Sequence, residues 1–319
     1  METGLPKAGR VLRLGTVPYL VGRPLDSGLE EEPGFEVSRR VPADLVRGLR
    51  SGQLDVALVS SVELFRRPGY RYVDHVAVSG EGNVASVQVF LRKPIEEVER
   101  VALDPSSRAA AALTRILLTE RRDNGHDTPR MGHREIGEDT PRADCQEIDV
   151  EAPRSAIRSR SSDRERAFID VPAGVDPSNV EADAWLEIGD PALRRALAPD
   201  APPTFNPCRA WTDRTGLPFA FAVWIVNPFV ELSPTELEAF ARARKRGRAN
   251  VRELAAEASR AWNLPLAECR RYLEEECRYE PGEKLAPALA AFQAAAAPLG
   301  LCDGTVRPQA IRLPAAHVA

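Results

Sequence analysis

Long apolar runs are absent from this sequence. Although 43% of its 319 residues are hydrophobic, no stretch approaches the roughly 20 uninterrupted apolar residues that a membrane-spanning helix needs. The opening residues, METGLPKAGR, also lack the apolar centre of a secretion signal. These absences argue against a membrane-spanning protein and predict one that works in the cytoplasm.

Cysteine and histidine are scarce, which bears on disulfide and metal chemistry. The five cysteines are scattered without a CxxC pair, an arrangement that argues against a zinc ribbon or a disulfide framework. His126, His133 and Cys145 share one polar stretch, but their spacing is too loose to predict a metal site. A glycine-rich phosphate loop is missing too. We therefore expect no metal and no other cofactor.

Neither sign of charge is in large excess. The 43 Lys and Arg residues against 47 Asp and Glu residues give a formal net charge of −4. Without a basic field, the chain is not expected to bind nucleic acid or an anionic membrane surface. Any basic binding site must therefore be local.

What the chain does have is an alternation of strand and helix patterns. The predicted elements are a strand at 11–17, a helix at 43–51, strands at 54–61 and 84–93, and, after a strand that turns at Asp104-Pro105, an alanine-rich helix to Glu120. This order predicts an α/β fold. A chain of 319 residues is about right for two lobes with a cleft between them.

Residues 121–166 interrupt this pattern. They are charged, dotted with proline and nearly free of apolar periodicity, so we interpret them as a polar insertion that forms a long solvated loop. Strand patterns return at 167–171, and an Ala/Glu/Arg-rich sequence predicts helices from Pro234 to about Leu299.

Small polar side chains follow several of the predicted strands. They are Tyr19 to Arg23, Ser60 and Ser61, Ser86, and Ser106, Ser107 and Arg108. Ligands of open α/β sheets bind beyond the carboxyl ends of strands, and hydroxyls with an arginine at a helix N-terminus suit a carboxylate. The alternative is that the serines only cap a helix or end a strand, and that Arg23 is a surface charge.

Seven segments carry a family resemblance. RLGTVPYLVGRPL, GQLDVALVSSVE, GNVASVQVF, VALDPSSRAAAALTRILL, IGDPAL, TGLPFAFAVW and YEPGEKLAPALAAF occur in the order and spacing of the chorismate dehydratase family of the futalosine route to menaquinone. The resemblance covers nearly the whole chain outside 121–166. It implies a two-lobed fold similar to type II periplasmic binding proteins, with lobe 1 at 10–91 completed by 218–319 and lobe 2 at 92–217.

The resemblance also implies an activity. Members of this family remove water from chorismate and leave 3-[(1-carboxyvinyl)oxy]benzoate, a cofactor-free elimination that aromatises the ring. Ser86 falls on the serine that the family places against the substrate, so it is the expected catalytic residue. The expected substrate-binding residues are those of the other strand ends: Tyr19, Val21, Arg23, Ser60, Ser61, Ser106, Ser107 and Arg108.

Two departures from the family pattern lie at these same strand ends. Val21 stands where the family usually has an asparagine, and Ala109 and Ala110 stand where it has hydroxyl residues. Valine can neither donate nor accept a hydrogen bond. The sequence therefore leaves two hypotheses: a chorismate dehydratase, or a non-catalytic two-lobed binding protein or sensor for a small carboxylate.

Overall fold

The structure is a computed structural model that describes residues 10–123 and 166–313. The strands in these residues are β1 (Leu12–Thr16), β2 (Phe35–Arg39), β3 (Val56–Ser60), β4 (Arg71–Gly80), β5 (Val87–Leu91), β6 (Arg100–Leu103), β7 (Ala167–Asp170), β8 (Ala184–Ile188), β9 (Thr204–Phe205), β10 (Phe219–Val226), β11 (Cys277–Arg278) and β12 (Gln309–Ile311).

The helices of the same residues are α1 (Arg23–Asp26), α2 (Pro42–Ser51), α3 (Arg108–Asp123), α4 (Gly189–Ala196), α5 (Pro207–Thr215), α6 (Pro234–Trp262), α7 (Leu266–Arg271) and α8 (Leu285–Ala296), with a π-helix at Tyr272–Glu276. Within this described part of the chain, no helix is both long and apolar enough to cross a membrane.

The strands form two sheets, and each sheet is the centre of one lobe. The sheet of lobe 1 has the order β11-β4-β10-β3-β1-β2, with β12 beside β4. Its strands β1, β2 and β3 are parallel, and β10 runs antiparallel between β3 and β4. The sheet of lobe 2 has the order β7-β6-β8-β5-β9. The predicted α/β class is confirmed.

The chain crosses from lobe 1 to lobe 2 earlier than the sequence predicts. Strand β5 pairs with β8 and β9 in the sheet of lobe 2, so the crossing lies at 81–86 and not after Leu91. The apolar run at 84–93 hides this boundary because a strand pattern does not say which sheet the strand joins. The chain returns between Thr215 and Phe219.

Local sequence explains why the elements near the cleft form where they do. Strand β3 reads VALVS, and such an unbroken apolar run suits a strand that is buried on both faces. Helix α2 begins with Pro42 and stops at Gly52, whose φ of 73° belongs to the left-handed region that glycine adopts readily. Helix α6 begins with a capping box between Ser233 and Glu236.

A large hydrophobic cluster contains residues of both lobes, and a smaller one lies in lobe 2. Close backbone contact adds to this packing where α1 meets α6. A Cβ at Gly247 of α6 would lie 1.8 Å from the carbonyl oxygen of Pro24 in α1. Only glycine permits that approach. The contact holds the segment after β1, which borders the cleft, against the long helix of lobe 1.

Two expectations about the second half of the chain need correction. The helical stretch predicted for 234–299 is interrupted by β11, which pairs with β4. The insertion predicted at 121–166 is shorter, because α3 continues to Asp123 and Arg166 is buried, with hydrogen bonds to the carbonyl oxygens of Val98, Leu118 and Ile95. Residues 124–165, with His126, His133 and Cys145, lie outside the described residues.

Candidate functional site

A small cavity lies between the two lobes, where both sheets end. Its volume is about 80 Å³. Its walls are mostly aliphatic and aromatic, and the polar side chains among the lining residues are Tyr19, Ser60, Ser79, Ser86, Ser106, Ser107 and Cys277. No charged side chain of the described residues lines it. Apolar walls without charged groups strengthen the hydrogen bonds made inside the cavity.

Ser86 lies at this cavity and makes a buried hydrogen bond. The hydroxyl of Tyr272 donates to Ser86 Oγ at 2.8 Å, and both residues are almost fully buried. Burial raises the pKa of Tyr272 well above its ordinary value, so the phenol keeps its proton and remains a donor. The cavity thus contains a serine hydroxyl that is already oriented by a second hydroxyl.

The backbone around Ser86 is held from both lobes. The carboxylate of Glu276, in the C-terminal segment of lobe 1, accepts a hydrogen bond from the Ala85 nitrogen at 2.7 Å. On the other side, the Ser86 carbonyl accepts one from the Gly189 nitrogen of lobe 2 at 2.8 Å. Ser86 therefore lies in the crossing segment itself and is fixed to both halves of the protein.

Two serines from different lobes cap the start of α3. Ser60 Oγ, at the end of β3, accepts a hydrogen bond from the Ala109 nitrogen at 2.7 Å, and Ser107 Oγ accepts one from the Ala110 nitrogen at 3.2 Å. These backbone N–H groups are the first of a helix of 16 residues, where the helix dipole favours an acceptor that carries negative charge.

Tyr19 and Val21 line the cavity from the segment after β1. Val21 is half-buried and belongs to a short 3₁₀ turn at Leu20–Gly22 rather than to the strand. Burial raises the pKa of Tyr19, which keeps its phenol protonated. The cavity therefore presents an apolar side chain at Val21 and a neutral hydroxyl at Tyr19.

A carboxylate of lobe 2 is bound to this same segment. Asp190, in the first turn of α4, accepts a hydrogen bond from the Leu20 nitrogen at 3.1 Å. Burial raises the pKa of Asp190 to about 6, although the Leu20 hydrogen bond and Arg194 oppose the shift. This bond and the one between Ser60 and Ala109 hold the lobes together on two sides of the cavity.

Three of the predicted binding residues do not reach the cavity. Ser61 is completely buried, and its hydroxyl donates to the Ala220 carbonyl at 2.6 Å. Arg23 forms an exposed ion pair with Glu257 at 2.8 Å. Arg108 is exposed and is not among the lining residues. Of the predicted residues, the structure brings together Tyr19, Val21, Ser60, Ser86, Ser106 and Ser107.

Other residues of the site were missed by the sequence analysis. Tyr272 and Cys277 come from a stretch whose composition predicts only a helix, so no sequence signal singles them out. Burial raises the pKa of the Cys277 thiol to about 12, which keeps it neutral. Asp190 had a signal, because it lies in the IGDPAL segment directly after a strand.

A larger open groove adjoins the cavity on lobe 2. It has a volume of about 770 Å³ and shares Ser106 with the cavity. Arg194 and Arg195 line this groove together with the acidic residues Asp104, Asp176, Glu187 and Asp200. Within the residues that the structure describes, no group of three or more His, Cys, Asp or Glu side chains could hold a metal ion.

Two α/β lobes that enclose a small cavity at their crossing segments define a protein of the periplasmic-binding-protein fold. Solved structures share this fold. A protein from Archaeoglobus fulgidus matches with a TM-score of 0.64 at 14% identity, over 91% of this chain and 98% of its own. The periplasmic aliphatic sulphonate binding protein SsuA from Escherichia coli matches with a TM-score of 0.55 at 16% identity, over 92% of both chains.

Sequence comparison defines the family. The chain belongs to the menaquinone biosynthesis family, whose model matches residues 12–142 and 161–298. It is 30% identical over 270 residues to the chorismate dehydratase of Thermus thermophilus, an alignment that covers 79% of this chain and 84% of that protein. The family resemblance expected from the seven segments is confirmed.

Proposed function

We propose that this protein is a hydro-lyase that removes water from chorismate and releases 3-[(1-carboxyvinyl)oxy]benzoate for menaquinone biosynthesis. The observation that carries the proposal is the Ser86 hydroxyl, which lines the cavity between the lobes and is already bound by Tyr272 at 2.8 Å. Family membership and the chorismate dehydratase relative support it. We place the reaction in the cytoplasm, where the free thiols of Cys208, Cys269, Cys277 and Cys302 would stay reduced.

The chemistry asks little of the protein beyond positioning. A ring C–H bond breaks and its electron pair forms the new ring double bond, while the neighbouring C–O bond breaks. The proton and the departing hydroxide leave together as water, and the aromatic product is the driving force. A carboxylate of the substrate itself can take the ring proton, so a charged base in the cavity is not required.

The cavity residues suit three tasks in this elimination. Ser86 donates a hydrogen bond to an oxygen that gains negative charge, such as the departing hydroxyl. The start of α3 borders the cavity at Ser106 and Ser107, and the helix dipole there favours a substrate carboxylate that displaces the capping serines from the Ala109 and Ala110 N–H groups. The apolar walls exclude water around the ring.

Substrate must enter while the lobes are apart. The cavity of about 80 Å³ is smaller than the engineered cavity of about 150 Å³ that binds benzene, and chorismate is larger than benzene. Chorismate therefore fits only when the lobes lie further apart than they do in this structure. The adjoining groove at Ser106 is the side from which we expect the substrate to approach.

The second candidate is a binding protein that closes on a small carboxylate without turnover. Val21 favours it, because this side chain lines the cavity and offers no hydrogen bond where the family usually has an amide.

One experiment separates the two candidates. Purified protein is incubated with chorismate, and the aromatic product is followed by chromatography and NMR. We expect turnover, and Ser86→Ala should lower kcat about 10-fold or more without unfolding the protein. Ser38→Ala is the matched control, because the Ser38 hydroxyl donates to the Leu14 carbonyl and Ser38 is not among the residues that line the cavity. Binding of the product without any turnover would favour the second candidate.

A further inference from the structure

We propose that Tyr272 is the positioning residue of this site: its phenol donates to Ser86 Oγ and thereby directs the Ser86 hydrogen into the cavity. The inference rests on the proposed function for its role in turnover. Tyr272 contributes no atoms to the cavity lining, so it acts through Ser86 and not on the ligand.

The hydrogen bond itself indicates this role. A serine hydroxyl has one hydrogen to donate and two lone pairs that accept. The donation from Tyr272, at 2.8 Å, occupies one lone pair of Ser86 Oγ. The Ser86 hydrogen is then free to donate to a ligand oxygen, which is the form needed at an atom that gains negative charge. Without Tyr272, the hydroxyl could rotate to other partners.

The protonation state of Tyr272 is fixed by its surroundings. Tyr272 has 1% of its surface exposed, and burial raises its pKa well above the ordinary value. A neutral phenol at every working pH makes Tyr272 a constant donor to Ser86. It is therefore not a proton acceptor in the reaction.

The backbone around Tyr272 is arranged to hold this geometry. Tyr272 is the first residue of the π-helix at Tyr272–Glu276 that follows α7, and single π-helical turns are often found at functional sites. The last residue of the same turn, Glu276, binds the Ala85 nitrogen at 2.7 Å. One short turn thus holds both the side chain of Ser86, through Tyr272, and the backbone next to it, through Glu276.

A double-mutant cycle tests whether Tyr272 acts through Ser86. Tyr272→Phe removes one oxygen and keeps the ring, and we expect it to lower kcat about 10-fold while KM changes less than about twofold. In the Ser86→Ala background, Tyr272→Phe should have no further effect on kcat. Tyr72→Phe is the matched control, because Tyr72 is a buried tyrosine of β4 that does not line the cavity.

The double-mutant cycle tests the role of Tyr272 separately from the proposed function. If the double variant loses kcat by the product of the two single fold-changes, the residues act independently and the inference is overturned. Residues that act as one unit should instead show no additional loss when the second is replaced. If the protein binds the product but does not turn over chorismate, the proposed function fails. The same cycle, measured on product affinity by calorimetry, then still decides whether Tyr272 and Ser86 are coupled. If the unmodified protein neither turns over chorismate nor binds the product, the proposed function and the inference about Tyr272 are both overturned.

A second replacement of Tyr272 tests its hydrogen bonding without disturbing the fold. Incorporation of 3-fluorotyrosine at position 272 preserves the shape of the side chain and makes its hydroxyl a stronger donor. We expect a change in kcat with an unchanged melting temperature, because the fluorine alters the hydrogen bonds of the phenol, to Ser86 and to the Cys277 thiol, and leaves the packing of the ring in place. An unchanged kcat in the fluorinated protein, together with an unchanged kcat in a folded Tyr272→Phe variant, would leave Tyr272 with a packing role only and overturn the inference.

Discussion

Ser60 Oγ lies 2.7 Å from the backbone nitrogen of Ala109, and this hydrogen bond connects the end of β3 in lobe 1 to the start of α3 in lobe 2. The donor is one of the helix N-terminal groups that would suit a bound carboxylate. A ligand oxygen that bound this N–H group would therefore have to displace Ser60 Oγ.

Ser60→Ala should favour the open conformation. The variant loses one hydrogen bond between the lobes, so we expect its free energy of unfolding to fall by about 1 kcal/mol and its radius of gyration to rise. Chemical denaturation and small-angle X-ray scattering measure the two effects. Ser38→Ala, which loses a bond inside one sheet, should leave the radius of gyration unchanged. The idea fails if both variants give the same scattering profile.

Asp26 should make the protein less stable as the pH rises. Burial raises its pKa from 3.8 to about 6, with Arg39 opposing the shift. The folded state therefore binds a proton that the unfolded state has already lost, and the stabilisation present below about pH 4 disappears as the pH passes 6. Since one pKa unit corresponds to about 1.4 kcal/mol, the loss is about 3 kcal/mol.

Denaturant titrations between pH 4 and pH 7 check this dependence. Asp26→Asn should flatten the curve in this range by roughly half, because Asp190 also has a pKa raised to about 6. Asp55→Asn is the contrasting variant. The ion pair with Arg13 holds the pKa of Asp55 below its ordinary value, against the opposing effect of burial, so its stabilisation is lost only as the pH falls towards 4 and below. A curve for Asp26→Asn that matches the unmodified protein would contradict the prediction.

Val21→Asn should raise turnover. Val21 lines the cavity, so an asparagine there would place an amide beside the ligand, where it could donate or accept a hydrogen bond. We expect kcat for chorismate to rise about 10-fold or more, with a stability loss near 1 kcal/mol because Val21 is only half-buried. Val21→Ala controls for the added space. Equal kcat values for the asparagine and alanine variants would show that the amide does not take part.

Arg166 should matter for stability, whereas the polar stretch before it should not. The Arg166 guanidinium binds three backbone carbonyls in lobe 2, and Arg166→Ala should lower the free energy of unfolding by about 2 kcal/mol or more.

The composition of residues 124–165 offers almost nothing to a core. A variant that replaces 124–165 with a short Gly/Ser linker and keeps Arg166 should fold with a near-normal melting temperature. Insolubility of that variant would contradict the prediction.

The sequence predicts the positions of strands and helices better than it predicts which strands pair in a sheet. The strands at Leu12–Thr16 and Val56–Ser60 and the helix at Pro42–Ser51 follow from apolar runs, Pro42 and Gly52, which are local signals. The crossing at 81–86 does not, because membership of a sheet is a long-range property. Strand β5 shows no local difference from a strand of lobe 1.

Some residues of the candidate site have a local sequence signal and others do not. Ser86, Ser60 and Ser107 could be predicted because they follow strands or begin a helix, where polar groups are informative. Tyr272 could not, since it lies 186 residues from Ser86 along the chain in a segment with an ordinary helical composition. Arg23 and Arg108 were expected at the ligand because charge suggests a carboxylate partner, but long arginine side chains at a cleft edge can equally turn towards solvent.

The attachment of Ser86 to both lobes has a consequence for how fast a ligand is bound. Ser86 lies in the crossing segment and is tied to Gly189 on one side and, through Ala85, to Glu276 on the other. If the lobes rotate about this crossing segment, Ser86 should move less than the rest of the cavity wall. A ligand can therefore dock on Ser86 before the lobes close. Stopped-flow traces should then have two phases. The rate of the first, ligand binding, should rise with ligand concentration. The rate of the second, lobe closure, should reach a maximum that no longer depends on ligand concentration.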